Sequence, residues 1–251
     1  MPDRTVKLEK AFNIRDLGGL ESENGSRVVP GLVFRGDSLH ALSERDKEVL
    51  FGTLRIGTII DLRTAEEAGG DGLQDQRLFP DRRVHHFSIM PEGRIGREPF
   101  PSDNPAELAV RYLENLEEGA AAVRDSVLAV AESVRENTPV LFHCAAGRDR
   151  TGLLAAVLLK LIGIEDEEIV SDYLLSNENA RQVTARLLEN PLYDNGDAPA
   201  DNGVALLHAG TMEGFLDLVD SSLGGVKAWA EAAGIPQESI AALKSALLVE
   251  G

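Results

Sequence analysis

At 251 residues the chain is long for one average domain and short for two, since domains run to about 150 residues, and an α/β fold holds such a length in one core. Its 42 acidic and 25 basic residues leave a formal charge of −17, with 43% hydrophobic and 5% aromatic residues. That balance excludes a wholly disordered chain and argues against a nucleic-acid coat, because polyanions repel so acidic a surface.

No apolar run approaches the roughly 18 residues of a membrane span, and the opening Met1–Lys10 lacks the apolar stretch of a secretory signal. A cytoplasmic, soluble protein without stable membrane insertion is expected, with export by an address unreadable in the sequence left open. The single cysteine, Cys144, has no partner for an internal disulfide and no companions for a cysteine zinc cluster.

In chain order, Gly31–Arg35 reads as a short apolar run. Ser43 reads as an N-cap for a helix reaching about Leu54. Thr58–Leu62 is β-branched and continuous, as in a buried parallel strand. Residues 64–82 begin helically and turn irregular, and Val84–Ile89 reads as a strand. Pro91, Pro99, Pro101 and Pro105 bracket a loop around Arg94 and Arg97. Helices are predicted over 106–117 and 120–136, the second with Val123, Val127, Val130 and Val134 on one stripe. Pro139–His143 reads as a buried strand and Thr151–Ile162 as an apolar helix. Beyond Gly163 the pattern is helical over 166–176, 178–190, 211–223, 226–233 and 237–249, interrupted by a polar loop at 191–210. Alternating strands and helices predict an α/β fold, a central mostly parallel sheet flanked by helices with a helical C-terminal extension. The chain reads as one domain over 1–251, with 164–223 a helical insertion or lid region.

The informative segment is His143-Cys-Ala-Ala-Gly-Arg-Asp-Arg-Thr-Gly152, between a strand and a helix. A cysteine, five residues and an arginine make a turn whose N–H groups can converge on an anion, with the positive end of the following helix behind them. Ala145, Ala146 and Gly147 are small enough for backbone to approach phosphate oxygens. Arg148 adds a cation, and Arg150 a planar fork for two oxygens. The same field favours the thiolate of Cys144. A thiolate aimed at a cradled phosphorus predicts phosphoryl transfer to sulfur, then hydrolysis, with no cofactor and no metal. The leaving group needs a proton, and Asp149 is the nearest carboxyl. Asp61, at a strand end predicted to lie in the same sheet, is the second choice. A mildly acidic optimum is expected.

This segment resembles the signature loop of cysteine-dependent protein tyrosine phosphatases. Its Gly-basic-Asp-Arg-Thr-Gly ending resembles the bacterial atypical family of the mycobacterial secreted type B kind. Phe12-Asn-Ile-Arg-Asp-Leu-Gly-Gly19, Phe34-Arg-Gly-Asp-Ser-Leu39, Ile60-Asp-Leu-Arg-Thr64 and Ile169-Val-Ser-Asp-Tyr-Leu-Leu175 resemble further motifs of that family. The resemblance implies Cys144 as nucleophile, Arg150 as phosphate clamp and Asp149 as acid. It also implies a phosphorylated protein or peptide as substrate, phosphotyrosine first, with phosphoserine, phosphothreonine and phosphoinositides as further substrates. The family usually carries a lysine where Arg148 stands, which bears on lipid substrates in particular.

Other readings compete at several positions. His143 ends a buried strand, where holding the loop is favoured over proton transfer. Thr151 either caps the helix or offers its hydroxyl to the sulfur. Asp61 and Arg63 are either a structural pair or part of the site. Asn13, Arg15 and Asp16 are expected to fix the Gly18-Gly19 turn rather than touch substrate. His85 and His86 lack metal spacing, and Asp194–Asp197 lacks the glutamate of a calcium loop. An inositol lipid or inositol phosphate is the alternative substrate. Thiol redox chemistry wants a second cysteine, and a non-catalytic phosphate reader would dispense with the thiol or the arginine.

Overall fold

The computed structural model describes residues 4–91, 104–193 and 206–250. Among the described residues, seven short strands form two sheets: β1 (Arg15–Asp16), β2 (Arg27–Val28), β3 (Val33–Gly36), β4 (Thr58–Asp61), β5 (Arg83–His86), β6 (Val140–His143) and β7 (Leu248–Val249). The main sheet has the order β1-β3-β6-β4-β5, with β1 antiparallel and the rest parallel. β2 and β7 pair antiparallel and tie the early chain to its end. β6 is central, and register places Gly36 and Asp61 both opposite His143. Three parallel strands therefore end level, the position where open α/β sheets take their ligands.

Strand alternation divides the core. Phe34, Ile59 and Leu141 pack with Leu42, Leu50, Ile56 and Phe79 on one face. Val33, Ile60, Val140 and Phe142 pack on the other, against a larger core from α3 (Pro105–Glu118), α4 (Ala120–Arg135), α5 (Asp149–Ile162), α6 (Asp166–Leu174), α8 (Ala209–Leu223), α9 (Val226–Ala232) and α10 (Gln237–Leu247). The expected α/β sheet with a helical C-terminal extension is what the chain forms.

Local chemistry explains the boundaries. Ser43 caps α1 (Glu44–Lys47) in a reciprocal box with Asp46, and the helix then widens over Glu48–Thr53 into π-type turns, with Leu54 N–H reaching Val49 O. Asn104 caps α3 ahead of Pro105. Gly163, at φ +89°, ends α5 in the left-handed conformation. The expected helical start at 64 is corrected: Thr64 and Glu67 bond each other's backbone N–H groups, and Gly69, Gly70 and Gly72 at positive φ break the chain. The helix there is only α2 (Gln74–Leu78). The strand expected to Ile89 stops at His86, and the last helix stops at Leu247 so that 248–249 can pair with β2. The Arg94 and Arg97 loop and Asp194–Asp197 lie outside the described residues. No helix among the described residues is long and apolar enough to cross a membrane.

Candidate active site

The turn from β6 into α5 is inverted by its surroundings. The Cys144 carbonyl accepts from His143 Nδ1 at 3.1 Å. The Ala145 carbonyl accepts from Ser38 N at 3.1 Å and Arg186 Nη2 at 2.9 Å. Asn13 Nδ2 reaches the carbonyls of Ala146 and Gly147 at 3.1 and 3.0 Å, Arg35 Nη2 also holds that of Gly147 at 3.0 Å, and Gly152 N caps Arg148 O at 2.7 Å. With every carbonyl from 144 to 148 drawn outward, the amides of Ala145 to Arg148 are left without a hydrogen-bond acceptor among the described residues. Such a run of free N–H groups at a helix start is an anion nest.

Gly147 makes this turn feasible. Its φ is +69°, and a Cβ there would lie 2.6 Å from the Gly36 carbonyl carbon and oxygen, so a side chain would collide with backbone. Cys144 sits beneath the nest, buried at 2% exposure.

Arg150 is held from the side. Its Nη1 and Nη2 bind Glu67 Oε2 and Oε1 at 2.5 and 2.8 Å, end-on and bidentate, and the Tyr193 hydroxyl donates to the same carboxylate. Burial works against the Glu67 charge, but Arg150 and the added donors bring its pKa down to about 2. A guanidinium has five N–H donors and Glu67 takes two, so three remain for phosphate. Glu67 aligns the fork without blocking it. Arg148 is also buried, at 7% exposure, and its side chain has no hydrogen-bond or ion-pair partner among the described residues. A buried cation without acceptors is primed for an anion.

Asp149 opens α5, where the helix dipole favours a carboxylate. It is only partly buried, and its Oδ1 accepts from the Tyr112 hydroxyl at 2.6 Å. Asp61 stands otherwise. Its exposure is 1%, and both oxygens are taken by Arg63 at 2.7–3.1 Å. Arg63 spends its remaining donors on Ser38, Gln74, Asp75 and the Glu67 carbonyl. The two are a structural pair beside the site, and Arg63 has no donor to spare. Asp61, Asp75 and His143 bring ligand-type atoms within 4.8 Å of one another, but the Arg63 guanidinium already bridges the two carboxylates.

His143 is fully buried, with Nε2 2.6 Å from Asp75 Oδ2. Burial disfavours its charge, yet Asp75 and Asp61 outweigh this and raise its pKa above the ordinary value. As a cation it donates from both ring nitrogens, one to Asp75 and one to the Cys144 carbonyl, so it holds the loop. The cap reading of Thr151 is corrected: α5 starts two residues earlier, and Thr151 Oγ1 makes a long 3.5 Å contact with the Gly36 carbonyl. Of the N-terminal trio only Asp16 serves the turns, accepting from Gly18 and Gly31. Asn13 instead holds the loop, and Arg15 binds Asp172 at 3.1 Å. Asp172 also binds Arg4 and Arg35; burial opposes its charge, but the three guanidiniums hold its pKa well below the carboxylate range.

Sequence reasoning missed Glu67, Asp75, Tyr112, Arg186 and Tyr193. A cavity of about 280 Å³ beside the loop is lined by Ser38, His40, Arg63, Glu67, Arg186 and Tyr193 among others. Arg63 has all its donors engaged there, and Arg186 turns both Nη groups to backbone carbonyls and to Asp37.

A family model described as "Tyrosine phosphatase family" matches residues 6–249. The triple specificity protein phosphatase PtpB of Mycobacterium tuberculosis is 26% identical over 280 residues, covering 96% of this chain and 98% of the relative. A tyrosine-protein phosphatase of Nostoc commune is 28% identical over 233 residues, covering 86% and 74%. Among solved structures, the catalytic domain of the PP-IP phosphatase Siw14 of S. cerevisiae is 19% identical, with a TM-score of 0.38 over 62% of this chain and 77% of that one, a distant likeness.

Proposed function

The chain belongs to the tyrosine phosphatase family, in its atypical bacterial, cysteine-dependent branch, and from that premise we propose that it hydrolyses phosphotyrosine in proteins through a phosphate bound covalently to Cys144. The observation that carries this is the set of loop carbonyls from 144 to 148 each engaged by a donor, while the amides of 145–148 have no acceptor among the described residues. In the proposed reaction the substrate's phosphoryl group lies in the nest, its oxygens shared between the amides of 145–148 and the free donors of Arg150, with Arg148 adding charge. The Cys144 sulfur forms the S–P bond while the bond from phosphorus to the phenolic oxygen breaks. Asp149 gives that oxygen a proton, and its carboxylate then takes one from the water that cleaves S–P. Most of the rate comes from positioning and charge complementarity.

Asp149 is preferred to Asp61 as the acid because it is partly exposed and keeps Oδ2 free, whereas Arg63 occupies both oxygens of Asp61. We take the chain as one catalytic domain, with 164–223 built into it. Within that segment Arg186 donates to the carbonyls of Ala145, Ser38 and Lys10 and Tyr193 to Glu67. The stretch from α7 (Ala180–Leu188) to Tyr193 thus walls the cavity.

The substrate range follows by analogy with the triple-specificity relative and is tested directly. A phosphotyrosyl peptide, a phosphoseryl peptide and a soluble phosphoinositide are compared by kcat/KM on one preparation. Preference for the tyrosyl peptide is expected, since a chain of charge −17 repels polyanionic surfaces. Preference for the inositol lipid would overturn the protein-substrate reading while keeping the chemistry. With an activated aryl phosphate, a burst of phenol and a phosphate-sized mass gain on Cys144 are expected; absence of both would overturn the mechanism.

A further inference from the structure

Beyond the loop, one feature reaches into the chemistry from the helical side. The Tyr112 hydroxyl lies 2.6 Å from Asp149 Oδ1 and 2.9 Å from the Tyr173 hydroxyl. Tyr112 comes from α3, Tyr173 from α6, and both are almost completely buried. We propose that Tyr112, backed by Tyr173, is a positioning residue that fixes which oxygen of Asp149 carries the proton delivered to the leaving group. The proposal rests on Asp149 being the acid of the phosphatase reaction described above.

Counting protons gives the chain a direction. An ionised Asp149 only accepts, so Tyr112 spends its proton on Oδ1 and Tyr173 spends its own on the Tyr112 oxygen. Burial, reinforced by the Asp149 charge, raises the pKa of both phenols well above that of free tyrosine, so neither gives up its proton at working pH. When Asp149 takes up a proton, Oδ1 is already facing a donor. The proton must therefore sit on Oδ2, which has no hydrogen-bond partner among the described residues. In the transfer step the Oδ2–H bond breaks, the leaving oxygen gains the proton, and the carboxylate that remains is met by Tyr112. The ionisable groups around this chain are Tyr112 from α3, Tyr173 from α6, Arg35 from β3, and Arg148 beside Asp149. Without Tyr112, Asp149 is free to turn toward its arginine neighbours and lose its aim.

The ring is braced as well as bonded. Tyr112 makes edge contacts with Tyr173 at 6.3 Å and with Phe215 of α8 at 5.9 Å between ring centres. Such pairs favour one orientation, so the C-terminal helices set the angle of the hydroxyl.

The test uses the full chain and two esters, p-nitrophenyl phosphate with a good leaving group and phenyl phosphate with a poor one, over a range of pH. Tyr112→Phe keeps the ring and removes the donor. It is expected to cost about 10- to 100-fold in kcat on phenyl phosphate, the scale of one charge-assisted hydrogen bond, and much less on the nitrophenyl ester. The alkaline limb of kcat should move to higher pH, because the carboxylate loses a donor. Tyr173→Phe should shift both readouts the same way by less, and it carries the test if Tyr112→Phe does not fold. In an Asp149→Asn background, Tyr112→Phe should leave the ratio between the esters unchanged. Equal losses on both esters with an unmoved limb, or full additivity with Asp149→Asn, would overturn the positioning role in an otherwise active enzyme. A wild-type chain inert on both esters would instead overturn the phosphatase reading, and this proposal with it.

Discussion

On the side of β4, the loop around Cys144 leans on ions: Glu67 clamps Arg150, Asp61 and Asp75 share Arg63, and Asp75 holds a charged His143. On the side of α3 and α6 it leans on rings: Tyr112, Tyr173 and Phe215 close around Asp149 with hydroxyls and edges. The ionic flank fixes Arg150, the cation that meets phosphate, and the strand ends that carry the loop. Each pair there is buried, so deleting one partner strands a charge, which typically costs about 3–5 kcal/mol. The aromatic flank stays neutral and aims a proton. Damage on the first side should therefore appear in phosphate binding and stability, and damage on the second in the dependence on leaving group.

The largest effect belongs to neither flank. Cys144→Ser should abolish turnover and covalent phosphate uptake while retaining affinity for inorganic phosphate, because the nest and Arg150 remain and serine without a base is a poor nucleophile. Mass spectrometry after incubation with p-nitrophenyl phosphate and calorimetric titration with phosphate check the two halves. Residual turnover at more than a trace would place the nucleophile elsewhere.

Asp149→Asn comes next and isolates the aromatic side. A loss of about 10²–10⁴-fold is expected on poor leaving groups, with little change on activated aryl esters and no change in phosphate affinity. A uniform loss on all esters would move the acid role away from Asp149.

Glu67→Gln isolates the ionic side. It leaves Arg150 buried with half its clamp, so phosphate affinity and kcat/KM should fall together and urea stability should drop by about 3–5 kcal/mol. The ratio between good and poor leaving groups should stay put. A selective loss on poor leaving groups would erase the distinction between the flanks.

The two flanks also differ in how much of them the sequence displays. The loop is legible because Cys144, Gly147, Arg150 and Thr151 are neighbours in the chain, and the strand and helix that frame it carry continuous apolar patterns. Their partners come from afar: Glu67 lies 83 residues before Arg150, Asp75 68 before His143, and Tyr112 37 before Asp149. The register of β4 against β6 brings the first two to the loop and the packing of α3 brings Tyr112, and no spacing within one segment encodes that. The two-residue strands β1, β2 and β7 are too short to show alternation. Asn13 and Arg15 stand in a legible motif, yet their work on the loop carbonyls and on Asp172 appears only once the fold is closed.

The smallest effect separates the flanks without touching catalysis. His143 has its folded-state pKa raised, so it contributes stability fully present below the ordinary histidine value near 6.5 and lost as pH rises through the folded value. Glu67, at about 2, and Asp172, lower than usual, work oppositely. Their contribution is present above the ordinary carboxylate range and is lost as pH falls through the folded values. Urea midpoints should therefore peak between about pH 4.5 and 6.5 and decline on both sides, the alkaline decline no steeper than about 1.4 kcal/mol per pH unit from one group. His143→Asn should flatten the alkaline slope and keep the acid one. Tyr112→Phe should leave the alkaline slope contributed by His143 as it is, because its hydroxyl does not touch the His143–Asp75 pair. An alkaline slope that survives His143→Asn would mean that the Asp75 pair does not hold the charge, and the ionic flank would then rest on Glu67 with Arg150 and Asp61 with Arg63.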